Sequence, residues 1–238
     1  MTKSKIEHPK IVSRDQWLVA RKEFLIKEKK FTCERDALNA ERAELPWVKV
    51  DKEYIFEGSK GKQTLSELFE GRSQLLVYHF MFDPAWQEGC KSCSFWADNF
   101  NGIITHLNQR DVTMIAVSKA PFEQLEAFKK RMGWSFKWVS AFHTDFNRDY
   151  QVSFTKEELE KGEVYYNYDR RKFSSPEAAG ISVFYKDKSE NLFHTYSCYA
   201  RGLDMLNGAY HFLDLVPKGR DEAGLPYTMA WVRHHHKY

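Results

Sequence analysis

QLLVYHFMFDPAWQEGCKSCSFWADNFNGIITHL, residues 74–107, is the stretch around which the rest of the sequence is arranged. Its apolar run from Leu75 to Phe82 predicts a β-strand, and the polar segment Asp83–Gly89 predicts a bend. Apolar residues then recur at helical spacing from Phe95 to Leu107. Cys90-Lys91-Ser92-Cys93 stands between the bend and this helical pattern. We therefore predict a strand, a bend and a helix, with two cysteines at the start of the helix.

The position of the cysteine pair favours reactive thiol chemistry. A free cysteine has a pKa of about 8.5, and only its thiolate is nucleophilic. The start of a helix carries unpaired N–H groups and partial positive charge, which favour a thiolate at Cys90. Lys91 adds a cation, and Cys93 lies one helical turn further on, where it can attack a mixed disulfide on Cys90. We predict a redox-active dithiol with Cys90 and Cys93 as catalytic residues. A pair of ordinary buried thiols and a zinc site are the alternatives.

The supply of metal ligands does not favour zinc. A structural zinc site usually takes four Cys or His ligands, often as two pairs. Cys33 and Cys198 are the remaining cysteines, and they are not paired in the sequence. His234-His235-His236 are adjacent, but consecutive residues point in different directions. We expect no metal and no organic cofactor.

Composition and charge indicate a globular protein with a substantial core. The chain has 238 residues, 42% of them hydrophobic and 16% aromatic. The net charge of +3 is spread through interleaved acidic and basic residues, so we expect no nucleic-acid partner. No apolar run has the length of a membrane span and no signal region precedes the fold, so no membrane partner is expected. Four cysteines suit a reducing compartment, and we predict a cytoplasmic protein.

The chain order predicts an arm, one large domain and a tail. Residues 1–46 form a charged helical arm, with a capping box at Ser13–Gln16. The arm either packs on the domain or provides a homodimer contact. The domain spans 47–216 and carries a polar insertion at about 155–178, and residues 217–238 form a C-terminal tail.

The order of elements within the domain is that of an α/β protein. Val112–Val117 is a second apolar strand, and Phe122–Met132 has helical spacing. Strand, helix, strand, helix implies parallel strands joined by crossovers. Ile181–Tyr185 and Leu192–Tyr196 flank a polar turn and predict an antiparallel hairpin, and Leu203–Leu213 can form a last helix.

This order resembles the thioredoxin fold in its peroxiredoxin-like branch, a mixed sheet flanked by helices. The amino-acid sequences of the motifs resemble even more closely those of a bacterial group, domain-of-unknown-function family 899. The matching motifs are Gln74–Phe82, Gly89–Asp98, Arg131–Trp134, Phe193–Ser197, Tyr199–Asp204 and Trp231–His234. The resemblance implies a thioredoxin-like, predicted dithiol-disulfide oxidoreductase.

Two features differ from thioredoxins. Thioredoxins carry a cis-proline that faces the cysteines and pairs with a substrate chain, whereas Ala179 or Gly180 takes that place here, and its peptide should be trans. Lys91 and Ser92 also replace the residues between the thioredoxin cysteines. We therefore expect a small or enclosed substrate rather than large protein disulfides.

Two other functions stay open at this point. One is a thiol peroxidase with Cys90 as the peroxidatic and Cys93 as the resolving cysteine. Peroxiredoxins have a hydroxyl residue three positions before the reactive cysteine, where Gln87 stands. The other is a non-enzymatic binding or redox-switch module. The expected partner is a small-molecule or protein thiol or disulfide.

Five further residues are candidates for binding, because they lie next to the motif in the sequence or on strands that can bring them close to it. Trp86 and Trp96 flank the cysteines and can form the wall of a pocket, with Lys91 between the cysteines. His79 precedes the motif on its strand, and His194 lies on the hairpin. If both strands are central, either histidine can approach the cysteines; the alternative is a hydrogen-bonded core histidine.

Overall fold

The computed structural model describes residues 9–238, which fall into two compact units, divided along the chain between Pro46 and Trp47. The first unit contains one long helix, α1 (Arg14–Ala43). The predicted capping box is present: Ser13 Oγ accepts from the Gln16 N–H at 3.3 Å, and Gln16 Oε1 accepts from the Ser13 N–H at 3.2 Å. The N-terminal helical arm predicted from the sequence is therefore confirmed.

The second unit is built on an eight-stranded sheet, and a two-stranded hairpin lies beside it. The ten strands in chain order are β1 (Val48–Lys49), β2 (Ile55–Gly58), β3 (Gly61–Thr64), β4 (Gln74–His79), β5 (Val112–Ser118), β6 (Lys137–Ser140), β7 (Val164–Tyr166), β8 (Asp169–Arg171), β9 (Gly180–Lys186) and β10 (Leu192–Tyr199). The large sheet has the order β1-β10-β9-β4-β5-β6-β2-β3, and β7 pairs with β8. β4, β5 and β6 are parallel, whereas β9 and β10 form the predicted antiparallel hairpin.

Among the described residues of this unit are six short α-helices, of which five lie between strands and the last follows β10. They are α2 (Lys91–Ala97), α3 (Ile104–Asn108), α4 (Phe122–Arg131), α5 (Phe146–Asp149), α6 (Lys156–Glu160) and α7 (Gly208–Leu213). The single helix predicted over Phe95–Leu107 is wrong, because α2 ends at Ala97 and α3 begins at Ile104. The Asn99 side chain donates to the carbonyls of Phe95 and Trp96 and so ends α2. The predicted last helix is a 3₁₀ turn, Ala200–Leu206, followed by α7.

The sheet separates two apolar cores. Successive side chains of a strand point to opposite faces. Tyr78 and Phe80 therefore belong to the core that also contains Cys93 and the buried side of α4. Leu75 and Val77 belong to the opposite core. The cysteine pair thus lies on the Tyr78 side of the sheet.

A smaller core lies under the polar segment that the sequence marks as an insertion. A short helix, α6, lies in this segment, and Thr155 caps it. Val164 and Tyr166 of β7 are buried with Val152 and Ala178. Glu177 is also buried here, and its Oε1 accepts from the Ser153 hydroxyl at 2.6 Å. Burial raises the pKa of Glu177 to about 8.

The predicted α/β fold with a mixed, helix-flanked, thioredoxin-like sheet is confirmed by this strand order. The strand–helix–strand unit β4–α2–β5 carries the cysteine pair, and β9 pairs antiparallel with β4 on its other edge. Within residues 9–238, none of the helices combines the length and apolar character needed to span a membrane.

Candidate functional site

The loop before α2 is held close to the core, and this fixes the position of Cys90. The Cys90 N–H donates to the Met81 carbonyl at 3.1 Å, while the Cys90 carbonyl accepts from the Ser94 N–H at 2.9 Å. A Cβ at Gly89 would lie 2.7 Å from the Phe80 ring and 2.9 Å from the Phe128 ring. Only glycine lets the chain pass this close, and Cys90 then becomes the N-cap of α2.

The two thiols have different environments. A hydrogen bond from Cys93 lowers the pKa of Cys90 to about 7, and the N–H groups of Ser92 and Cys93 add to this effect. Cys90 is partly exposed, whereas Cys93 is 2% exposed. Burial raises the pKa of Cys93 well above that of an ordinary thiol. The arrangement therefore favours the thiolate at Cys90 and the protonated thiol at Cys93.

The hydroxyl of a residue in the predicted insertion forms hydrogen bonds with backbone groups opposite the cysteines. Tyr166 donates to the Ala179 carbonyl at 2.6 Å and accepts from the Ala200 N–H at 3.0 Å. Ala179 lines the same cavity as Cys93, and none of the peptide bonds among residues 9–238 is cis. The carbonyl of Ala179 is thus already bonded within the protein.

A cavity of about 300 Å³ lies beside Cys93. Apolar side chains form most of its wall, and they come from four separate parts of the chain: Met81, Trp96, Leu203 and Met229. The Trp96 indole N–H donates to the Leu203 carbonyl at 2.7 Å, so its polar edge is satisfied. The buried thiol therefore faces a small, mainly apolar space.

The segment 222–238 packs against this site. The sequence did not predict this contact. His234 is buried, and its Nε2–H donates to the carbonyl of Gly89 at 2.8 Å, directly before Cys90. Lys237 and Arg131 both form ion pairs with Glu88, at 2.7 and 2.8 Å. The Trp231–His234 motif is visible in the sequence, but the sequence does not show which residues this motif contacts.

Glu222 anchors the first part of this covering segment. Its Oε1 accepts from the Tyr210 hydroxyl, the Trp231 indole N–H and the Met229 N–H, at 2.7, 2.7 and 2.9 Å. These donors hold the pKa of Glu222 below its ordinary value although burial opposes them. The segment is therefore fixed by an ionised carboxylate.

The predicted binding residues near the motif lie in different places. Trp96 lines the cavity. Lys91 begins α2, and its Nζ lies 5.9 Å from the centroid of the Tyr227 ring. Trp86 packs against the core on the Cys93 side, outside the cavity lining, and its carbonyl accepts from the Gln124 side chain.

The two predicted histidines lie on the other face of the sheet, and the structure does not bring them to the cysteines. His79 is 1% exposed and stacks on Phe146 with ring centroids 5.6 Å apart. The two histidines are joined by a chain of hydrogen bonds. His79 Nε2 lies 2.9 Å from the Ser182 hydroxyl, Ser182 bonds to Ser197, and the Ser197 hydroxyl lies 2.7 Å from His194 Nε2. Burial lowers the pKa of His79 to about 3 and lowers that of His194, so both are neutral.

Among the residues that the structure describes, no cluster of three or more His, Cys, Asp or Glu side chains is arranged to hold a metal. His234 and His236 have parallel rings 5.9 Å apart, and His235 contacts Asp98 at 2.7 Å. The three adjacent histidines thus have different contacts.

The fold and the placement of the two thiols define a thioredoxin-like protein with a Cys-x-x-Cys pair at a helix start. The chain belongs to the family described as bacterial protein of unknown function (DUF899), whose profile matches residues 6–238. No curated protein matches the chain.

Three solved structures illustrate the similarity of fold. Peroxiredoxin Q from Xanthomonas campestris is 15% identical, with a TM-score of 0.45 over 71% of this chain and 96% of that one. Peroxidoxin BcpB from Mycobacterium tuberculosis is 11% identical, with a TM-score of 0.46 over 68% and 93%. A proposed thiol:disulfide interchange protein, DsbE from Chlorobium tepidum, is 12% identical, with a TM-score of 0.42 over 68% and 96%.

Proposed function

We propose that the protein is a thiol-disulfide oxidoreductase that uses the Cys90–Cys93 dithiol. The observation that carries this proposal is the pairing of a low-pKa, partly exposed thiol with a buried, protonated one. The Cys90 thiolate attacks one sulfur of a substrate disulfide, so a mixed disulfide forms and one substrate thiolate leaves. Cys93 then loses its proton and attacks Cys90 Sγ, which releases the second substrate thiolate. Two electrons pass to the substrate, and the protein keeps a Cys90–Cys93 disulfide.

A small substrate is favoured over an extended polypeptide. A chain that binds by β-pairing needs free backbone groups. The Ala179 carbonyl already accepts from Tyr166, and the segment 222–238 covers the other side of the cysteine loop. A cavity of about 300 Å³ accommodates a small molecule but not a folded protein surface.

The test is a redox titration of the native protein with mass readout. Mild oxidation and non-reducing peptide mapping should give a Cys90–Cys93 cross-link. Limiting iodoacetamide below neutral pH should label Cys90 of the reduced protein first. A cross-link mainly through Cys33 or Cys198, or earlier labelling of either, would contradict the proposal.

The same preparation separates the other functions. Catalytic consumption of peroxide without disulfide exchange would favour the thiol peroxidase. An intact fold with no redox couple at Cys90–Cys93 would favour a binding module. A Cys90→Ser variant serves as the inactive control for both assays.

Several features of the protein stay predictions. They are the domain limits 47–216 with the insertion at about 155–178, the cytoplasmic location and a homodimer through the N-terminal arm. The contacts of residues 217–238 support counting this tail with the cysteine site in functional terms. Size-exclusion chromatography with light scattering would test the dimer.

A further inference from the structure

We propose that the cavity beside Cys93 is a binding site for a compact, uncharged organic thiol or disulfide with an aromatic or branched aliphatic body. This inference rests on the proposed thiol exchange and specifies its substrate class. The covering segment 222–229 would then be part of the substrate site, through Glu222, Thr228 and Met229.

The first support comes from the chemistry of the cavity wall. Trp96, Leu203 and Met229 present apolar surface, and two polar groups of the lining are bonded within the protein. The Trp96 N–H is held by the Leu203 carbonyl, and the Tyr210 hydroxyl is held by Glu222. A ligand therefore gains little from hydrogen bonds here and is bound by burial of its own apolar surface.

The second support comes from the charges of the lining. Asp204 accepts two hydrogen bonds from Arg220, at 2.8 and 2.9 Å, which neutralise it. Glu222 is ionised and accepts only from uncharged donors among the residues that the structure describes. Arg201 lines the cavity, but its side chain is 80% exposed to solvent. Among the described residues, the lining offers no buried, unpaired cation, so a dianionic ligand would be poorly compensated.

The third support is the size and position of the space. A volume of about 300 Å³ lies at the lower end of small-molecule sites, which typically range over about 300–1,000 Å³. Cys93 lies in the wall, one helical turn from Cys90. A body held there lies next to Cys93, and Glu222, Thr228 and Met229 limit the space on the side of the covering segment.

Binding is tested without thiol exchange. A Cys90→Ser variant carrying methyl-¹³C methionine is titrated with benzyl methyl sulfide, an uncharged thioether that cannot undergo exchange. We expect saturable shifts of the Met81 and Met229 methyl signals, which line the cavity, and none at the exposed Met205. Unchanged Met81 and Met229 signals, or equal shifts at Met205, would overturn the inference.

Exchange is tested with chromogenic disulfides on the reduced native protein. The two probes are uncharged 2,2′-dithiodipyridine and dianionic 5,5′-dithiobis(2-nitrobenzoate). For each probe, the rate with the protein is divided by the rate with a small free thiol. We expect a ratio at least about tenfold in favour of the uncharged probe. Thr228→Trp, which fills the cavity from its exposed rim, should remove this preference, whereas Met205→Trp should keep it.

The two experiments distinguish the proposals. Thioether binding without exchange at Cys90 would overturn the oxidoreductase but leave the cavity assignment. Exchange without thioether binding, or with a preference that Thr228→Trp leaves intact, would overturn the cavity assignment alone. Equal melting temperatures of Thr228→Trp and the native protein exclude misfolding as the cause.

Discussion

Replacing Cys93 with alanine should raise the pKa of Cys90. The hydrogen bond from Cys93 is the largest influence that lowers this pKa to about 7. Alanine removes the donor, while the Ser92 hydroxyl and the N–H groups of the first turn remain. We therefore expect the pKa to move part of the way toward the value of about 8.5 for a free thiol. Cys93→Ser, which keeps a hydroxyl donor at the same position, is the matched control and should shift the pKa less.

The expected size of the change follows from the fraction of thiolate. At pH 7 a thiol with a pKa of about 7 is about half ionised, and a rise of roughly one unit reduces this to about a tenth. A thiolate of higher pKa is more nucleophilic, with a Brønsted coefficient of about 0.4–0.5. The alkylation rate at pH 7 therefore falls less than the thiolate fraction, and the midpoint of the pH profile is the better measure.

The assay is iodoacetamide alkylation from pH 5 to 9, with the Cys90 peptide quantified by mass. The exposed Cys33 in the same digest controls for decay of the reagent. A native midpoint near that of a free thiol would show that the helix start does not stabilise the thiolate. An identical midpoint in Cys93→Ala and the native protein would show that the hydrogen bond from Cys93 is not the cause.

Three further predictions concern the surroundings of the pair. His234→Ala leaves the Gly89 carbonyl without its donor and should cost about 1–3 kcal/mol in urea unfolding, whereas exposed His236→Ala should cost little. Because the pKa of Glu177 is higher in the folded protein, its protonation stabilises the fold fully below about pH 4.5, and this contribution is lost as the pH rises to about 8. Glu177→Gln should flatten the decline in melting temperature over that pH range. Insulin reduction with dithiothreitol should be far slower than with a thioredoxin measured in parallel, and comparable turnover would refute the small-substrate proposal.

Local patterns explain which parts of the fold were predictable. The strand β5 is a continuous apolar, β-branched run, the helix α4 has helical spacing, and the cysteine pair lies between a strand and a helix in the sequence. The break between α2 and α3 was missed because it depends on Asn99, whose side chain bonds to the backbone without changing the apolar spacing.

The orientation of the strand β4 was also not readable from the sequence. A strand that is covered on both faces is apolar throughout, so alternation does not identify the side of each residue. Tyr78 lies on the cysteine side, and its neighbour His79 lies on the other. The contacts of the C-terminal segment gave no periodic signal, because they join residues that are far apart in the chain.

The bond between His234 and Gly89 spans 145 positions of the chain. At synthesis rates of about 5–20 residues per second, the ribosome adds His234 roughly 7–30 s after Gly89. During that interval the cysteine loop lacks the segment that later covers it. On the proposed function, the nascent chain therefore passes through a stage in which Cys90 lacks this cover. The expected preference for small substrates would then be acquired only when the segment 222–238 has docked.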